Sequence, residues 1–431
     1  MTRPSWTARL SPPPEVQAFT VLHLVLTAVC FGTQMLGSIW RLNIPYGFPS
    51  VAFQGWIDLL CFRARFAVLH QAAFFSTDPA FGVHFMYPAP VALLYRIFYA
   101  AGSHTLALFF GVTLGLTALL SGIVLREAVR RGLPLMAGVV VLGCAILLGY
   151  PFWFEYILGN MEICIFLLVA FGVLAFVTNR GYTAAALFGI ATSMKIFPVV
   201  FFGLLLSKRK YRQIAFGAAV CAVTTVGSLR FLNPSVVVAN RGILSGIEMF
   251  RQQYMIQYLL METGFDHSIF GLIKFLDFYR NAAIYPIDKL LSIYLPCAAI
   301  VGLALYVAII RKLPMLNQIL LLTIASILLP STSHDYTLLH LYVPWALLLL
   351  FSLQTSETRP RIKGLMSAFL CFAILLAPES EFIHYGRGFG GQIKCLTLIV
   401  LFGIALTCPF QDPAFDPETR GAALGRPPVP A

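Results

Sequence analysis

Apolar residues dominate this chain and come in runs of roughly twenty, separated by short polar stretches. A helix needs about 20 apolar residues to cross the hydrocarbon layer. Runs at 17–40, 104–125, 136–157, 161–178, 213–231, 284–310, 315–330, 336–352, 364–378 and 393–409 reach or approach that length. They predict an all-α polytopic membrane protein with about 10–12 transmembrane or re-entrant helices. One stretch breaks the pattern: "YTAAALFGIATSMKIFPVVFFGLLLS", 182–207, holds Lys195 and Pro198 at its centre. Proline lacks the N–H that a continuing helix needs. A single crossing would also put Lys208, Arg209, Lys210 and Arg212 on the opposite side from Arg126, Arg130 and Arg131, against the retention of basic residues in the cytoplasm. Two half-helices that enter and return keep both clusters on one side, so a re-entrant pair is expected, its irregular centre covered by protein or lining a cavity.

Composition sharpens this picture. Of the 431 residues 59% are hydrophobic and 11% charged, against about 25% charged in soluble domains, and the mean hydropathy is +0.82. The net charge of +12 does not form one basic face. Its residues gather between apolar runs, as Arg126, Arg130 and Arg131; as 208–212; as Arg311 and Lys312; and as Arg359, Arg361 and Lys363. Such clusters set topology, so the expected surroundings are membrane lipids and not nucleic acid. The nine cysteines show no Cys-x-x-Cys spacing, which predicts neither disulfides nor a metal site.

The N-terminal "MTRPSWTARLSPPPEVQAF" has no signal-peptide cleavage pattern, so the first apolar run is expected to stay as an anchor. The organisation that follows is a cytoplasmic stretch 1–15, one transmembrane domain 16–409, and a proline-rich tail 410–431 expected to be disordered and cytoplasmic. With both termini inside, 41–103, 232–283 and the short links at 331–335 and 379–392 face outward. In the first loop, "VALLYRIFYA" (91–100) predicts a helix lying in the interface with Tyr95, Arg96 and Tyr99 at headgroup level. Residues 55–70 predict a second such helix.

Candidate chemistry concentrates in these outward regions. In "GWIDLLCFRAR" (55–65) Asp58 has Cys61 and Phe62 as its helical neighbours, and neither can pair with it. Arg65 lies about 10 Å farther along the axis, a separation suited to two groups gripping one ligand. A carboxylate beside lipid is a functional candidate by default. The competing reading has it capping a helix or pairing with a distant arginine. In "PSTSHDYTLLHLYVPW" (330–345), His334 and His340 fall on different helix faces and make no i,i+4 metal pair. His334 can donate to a phosphate or an acceptor hydroxyl, and Asp335 stands at capping-box spacing from Thr332. Lys195 needs an anion, such as a lipid-linked phosphate, or helix-end carbonyls. "YILGNMEIC" (156–164) carries Asn160 and Glu162, and "GFDHSIFGLIKF" (264–275) carries Asp266, His267 and Ser268. Each taken alone reads first as a solvated turn and second as part of a site; their concentration on one side of the membrane is the stronger signal.

Taken in order, "GWID", "HFMYPAP", "LGNME", "GIATSMKIFP", "FDHSIFGLI" and "PSTSHDY" resemble the integral-membrane C-type (GT-C) glycosyltransferases of the family that includes the polyprenol-phosphate-mannose-dependent mannosyltransferases of mycobacterial envelope synthesis. The resemblance runs from about residue 15 to 350. It implies a GT-C-like fold, a polyprenyl-phosphate sugar as donor, and a lipid or glycan acceptor. Transfer would occur on the outer face of a bacterial plasma membrane, with no metal or cofactor in the reaction. It further implies Asp58 as catalytic base. Arg63, Arg65, Lys195 and His334 would meet the donor phosphate, and Tyr87, Asn160, Glu162, Asp266, His267, Ser268, Asp335 and His340 the acceptor or sugar. The chain departs from the pattern at Pro88-Ala89-Pro90 (a Pro-Pro pair expected), at Asn160-Met161-Glu162 (Gln-x-Asn expected) and at His334-Asp335 (paired histidines expected). These changes bear on the sugar and acceptor more than on the reaction class. A transporter or flippase of a lipid-linked substrate is the other reading, and the broken segment at 195–198 suits it.

Overall fold

The computed structural model describes residues 11–40, 55–75, 85–252, 264–279, 286–353, 364–378 and 390–411. The expected tail beyond 411 and parts of the outward loops lie outside these residues. The helices are α1 (Pro14–Trp40), α2 (Ile57–Leu60), α3 (Ala89–Tyr99), α4 (Thr105–Arg130), α5 (Leu135–Leu147), α6 (Tyr150–Leu158), α7 (Glu162–Val177), α8 (Gly181–Met194) and α9 (Phe202–Ser207). They continue as α10 (Tyr211–Leu232), α11 (Val236–Phe250), α12 (Ile269–Tyr279), α13 (Ile287–Ala308), α14 (Met315–Leu328), α15 (Tyr342–Leu353), α16 (Leu365–Leu376) and α17 (Gly390–Thr407). No strand occurs among the described residues. Among the described residues six helices are long and apolar enough to cross a membrane, and a seventh span results if α5 and α6 count together. This is the all-α polytopic architecture that the apolar runs predict.

Three expectations need correction. The run 136–157 is not one straight span: α5 and α6 meet at 51°. Pro151 opens α6, and the Tyr342 hydroxyl donates to the Ala145 carbonyl at 2.7 Å, an acceptor that a continuing helix would have used itself. Residues 55–70 do not form one interfacial helix either. They make the single turn of α2 followed by a 3₁₀ segment, Arg63–Val68, folded around the buried rings of Phe62, Phe66 and Phe74. Its partner α3 is amphipathic as expected, with Val91, Ala92, Tyr95, Phe98 and Tyr99 forming a buried stripe. Tyr95 and Tyr99 therefore point into the protein and not to a headgroup layer, while Arg96 stays exposed.

The broken segment behaves as a helical hairpin. α8 stops at Met194, Lys195 is extended (φ −155°, ψ 141°), and a 3₁₀ turn over Phe197–Phe201 leads into α9. The two ends of the segment come back together, because Lys210 Nζ donates to Asn179 Oδ1 at 2.8 Å. α8 and α10 run side by side so closely that a Cβ on Gly217 would sit 2.6 Å from the Ala185 carbonyl oxygen; only glycine permits that approach.

These contacts give the bundle two distinct ends. α7 starts at Glu162, paired with Lys195 and His340, and ends near Thr178. At that far end, Arg131 Nη1 donates to the Leu350 carbonyl at 2.9 Å, and Gln318 Nε2 donates to the carbonyls of Arg311 and Leu313. The basic clusters 126–131, 208–212 and 311–312 thus sit opposite the Glu162 end.

Candidate active site

The site is built on the α6–α7 junction. α6 ends at Gly159, whose φ of +68° is unfavourable for any residue with a Cβ. Its N–H bonds to the Glu155 carbonyl at 2.8 Å, and a Cβ there would lie 2.8 Å from Leu59 Cβ. That contact lets the Trp56–Leu60 turn press against the junction, and the Trp56 N–H donates to the Ile157 carbonyl at 2.6 Å. From the other side, the Tyr95 hydroxyl donates to the Asp58 carbonyl at 2.8 Å and the Tyr99 hydroxyl to the Leu59 carbonyl. Trp56 itself adopts φ 56°, a sparsely populated conformation for a bulky residue. The turn bearing Asp58 is therefore pinned on both flanks.

Asp58 neither caps α2 nor pairs with an arginine. Its Oδ2 accepts from Asn160 Nδ2 at 2.7 Å, while Asn160 Oδ1 accepts the Glu162 N–H at 2.9 Å. The second bond fixes which way the amide faces, because only the oxygen can accept that N–H. The amide group is thereby aimed at the carboxylate. Asp58 is half-buried, and burial pushes its carboxyl up to about 6 despite the opposing bond from Asn160. Tyr87, also half-buried, has its phenol pushed well up by burial, with the charge of Asp58 and the nearby Tyr336 adding to the effect.

Lys195, expected to need an anion or helix-end carbonyls, finds its anion in a protein carboxylate. Its Nζ lies 2.6 Å from Glu162 Oε2 with the side chain 35% exposed, and it stands 4.7 Å over the Tyr336 ring and 5.4 Å over that of Phe197. Glu162 Oε1 pairs with His340 Nε2 at 2.9 Å. His340 is enclosed by Phe166 and Phe197. His334 packs at 5.5 Å from Tyr336, and burial lowers its imidazole to about 4, with the Asp266 charge opposing. It is therefore neutral at physiological pH and can serve as a hydrogen-bonding group but not as a cation.

A second polar cluster is sealed. Asp266 Oδ1 accepts from the Ser268 and Ser333 N–H groups at 2.9 and 3.0 Å, and its Oδ2 lies 2.9 Å from Lys274 Nζ. His267 Nε2 meets Asp335 Oδ1 at 2.7 Å, and the Tyr150 hydroxyl donates to Asp335 Oδ2 at 3.2 Å. Ser268 Oγ accepts the Gly271 N–H at 2.8 Å. Asp266, His267, Ser268, Asp335 and His340 are all 0% exposed. These five, expected to meet the acceptor or sugar, are enclosed by protein in this structure, and their bonds tie the segments 264–268 and 333–340 together. Asp335 does not cap the helix at Thr332 spacing, because its oxygens are engaged by His267 and Tyr150. Glu162, 2% exposed, is likewise occupied by Lys195 and His340. Arg65, expected at the donor phosphate, is turned into the protein. It is 4% exposed, its Nη1 donates to the Phe74 carbonyl at 3.1 Å, and it stacks on Phe62. Arg63 remains exposed.

Sequence reasoning missed Tyr336, which walls Lys195, and the phenols Tyr95 and Tyr99 that hold the Asp58 turn. It also missed Lys394, buried at 3% and lying 4.8 Å over the Tyr150 ring. A lysine inside an apolar run was a usable signal for the last. The phenols gave none, because interfacial tyrosines look the same in sequence.

A pinned, half-buried carboxylate with a raised proton affinity, at one end of a polytopic helical bundle, can accept a proton from a substrate hydroxyl. The model of glycosyltransferase family 87 matches residues 85–332, more than half of the chain. The chain belongs to that family, a family of GT-C-type membrane glycosyltransferases. The matched span includes Asn160, Glu162, Lys195 and Asp266; Asp58 precedes it and His334 follows it. No curated protein and no solved structure gives a significant match.

Proposed function

We propose that this glycosyltransferase moves a sugar from a polyprenyl-phosphate donor to a lipid-linked or envelope glycan acceptor by a single inverting displacement, with Asp58 as the general base. The observation that carries this reading is the Asp58 carboxylate, aimed by Asn160 and shifted toward neutrality. A donor with a phosphate leaving group needs no strong acid, whereas the acceptor hydroxyl needs a base as it attacks. One carboxylate suffices for inversion; a covalent route would need a second as nucleophile. Glu162 is poorly placed for that role, because Lys195 and His340 hold both of its oxygens. The negative charge growing on the departing phosphate needs donors, and Lys195, Arg63 and neutral His334 are the groups we assign to it. Tyr87, beside Asp58, we assign to the sugar or acceptor.

Sidedness follows from charge. Basic residues are retained in the cytoplasm, and the three basic clusters lie at the end opposite Asp58. The site is accordingly assigned to the outer face of the plasma membrane. The test is transfer from a radiolabelled polyprenyl-phosphate mannose to extracted membrane lipid acceptors by the purified protein. A labelled lipid product with inverted anomeric configuration is expected. A product with retained configuration, or transfer only from nucleotide sugars, overturns the reading.

A further inference from the structure

A sizeable cavity lies away from Asp58. It has a volume of about 470 Å³ and lies between α4, α5, α7 and α15, within the range of about 300–1,000 Å³ typical of small-molecule sites. Phe152, Phe166 and Tyr342 form an apolar part of its lining, and Phe166 also packs against the His340 ring. The open end of the cavity reaches Arg126, Glu127, Arg130 and Arg131. The flank on which it opens faces lipid: Leu119 on α4 and Val140 on α5 are more than half exposed.

The mouth carries three arginines against one glutamate. Arg131 is committed to the fold, its Nε 2.9 Å from Glu127 and its Nη1 on the Leu350 carbonyl. That pairing also answers the Glu127 charge. Arg130 reaches Glu127 only at 3.8 Å with its side chain 60% exposed, and Arg126 is exposed. Two outward guanidinium groups thus stand at headgroup level over an apolar slot that runs inward between helices.

We infer that this cavity is a binding site for an anionic diacylphospholipid, with one acyl chain in the slot and the phosphate on Arg126 and Arg130. The charge selects an anionic over a zwitterionic headgroup, since each basic residue near the membrane surface attracts acidic lipid. On the proposed function the polyprenyl donor is not the occupant, because its phosphate is assigned to the groups near Asp58. α7, which connects the two ends, is 16 residues long, about 24 Å. The site is therefore separate from the one that carries transfer, and its test does not depend on catalysis.

The test is native mass spectrometry of the full-length protein in detergent, titrated with palmitoyl-oleoyl phosphatidylglycerol or phosphatidylcholine. Retention of phosphatidylglycerol about thirtyfold tighter is expected, the scale of two basic residues at a membrane surface. The exposed double substitution Arg126→Gln with Arg130→Gln should abolish the preference. Ala346→Phe, which fills the slot from α15, should weaken both lipids. Equal retention of the two lipids by the wild-type protein overturns the proposal without any variant. So does a preference that survives the double substitution, or displacement of phosphatidylglycerol by equimolar glycerol 3-phosphate, which would mean that the arginines bind phosphate without the slot.

Discussion

Two polar clusters at the same end of this bundle each set a carboxylate and a lysine among apolar helices, yet they are in opposite states. In the cluster of Asp266, His267, Lys274 and Asp335 the side chains are within about 1% of full burial, and each carboxylate is met by a charged or hydrogen-bonding partner. In the cluster of Asp58, Asn160 and Lys195 the carboxylate receives one side-chain hydrogen bond, the lysine is a third exposed, and the acid is raised to about 6. A closed network fixes backbone segments; an under-compensated carboxylate in reach of solvent holds a proton affinity that chemistry can use. Charge near the membrane surface therefore does not by itself mark catalysis. The number of partners and the residual exposure do.

Lys274→Met should break the closed cluster hardest. It leaves Asp266 buried without its cation, a loss of about 3–5 kcal/mol, and thermal unfolding in detergent should show it. Adding Asp266→Asn should restore much of the loss, since the amide oxygen still accepts the Ser268 and Ser333 N–H groups. A wild-type melting temperature in the single variant would mean that the pair is not structural.

In the open cluster, Asp58→Asn keeps shape and removes basicity. Transfer should fall by at least about 100-fold with folding intact. In the wild-type protein kcat/KM should rise with pH through about 6 and level off above, because the ionised form is the base. A flat profile between pH 5 and 8 would separate Asp58 from the proton transfer.

Asn160→Ala tests the link between them at lower amplitude. The bond from Asn160 holds the Asp58 carboxyl down, so its loss should move the inflection of the pH profile upward. Activity should then drop more at pH 6 than at pH 8. An equal drop at both would assign Asn160 to substrate contact or backbone positioning instead.

The smallest effect is on stability. Asp58 is harder to ionise folded than unfolded, so the cost of its charge is present above about pH 6 and absent below about 4. Asp58→Asn should therefore melt slightly higher than wild type at pH 8, with the difference vanishing toward pH 4. Equal melting at both pH values would mean that the acid is not strained by its surroundings.

Much of this was legible in the chain itself. Apolar run length set the polytopic helical class, because hydrocarbon admits few alternatives to helices. The placement of Arg126–Arg131 and Lys208–Arg212 required a returning segment, and Pro198 marked the break; Lys210 and Asn179 now join its ends. Asp58 stood out as an acid with no local partner. The reversal of Tyr95 and Tyr99 was not legible, because an amphipathic helix has the same stripe whether its tyrosines face headgroups or the carbonyls of Asp58 and Leu59. The bend at 148–149 was equally silent, since it depends on Tyr342, nearly two hundred positions away.

Sequence by itself determined that this protein is a helical membrane enzyme of the glycosyltransferase kind and which few acids and bases could serve it, because lipid makes each polar residue costly and therefore conspicuous. Only the tertiary structure decided which of those residues remain open. Burial and pairing are properties of distant contacts, such as Asn160 on Asp58, Glu162 between Lys195 and His340, and Asp335 between His267 and Tyr150. No local spacing encodes which carboxylate is left with a single partner.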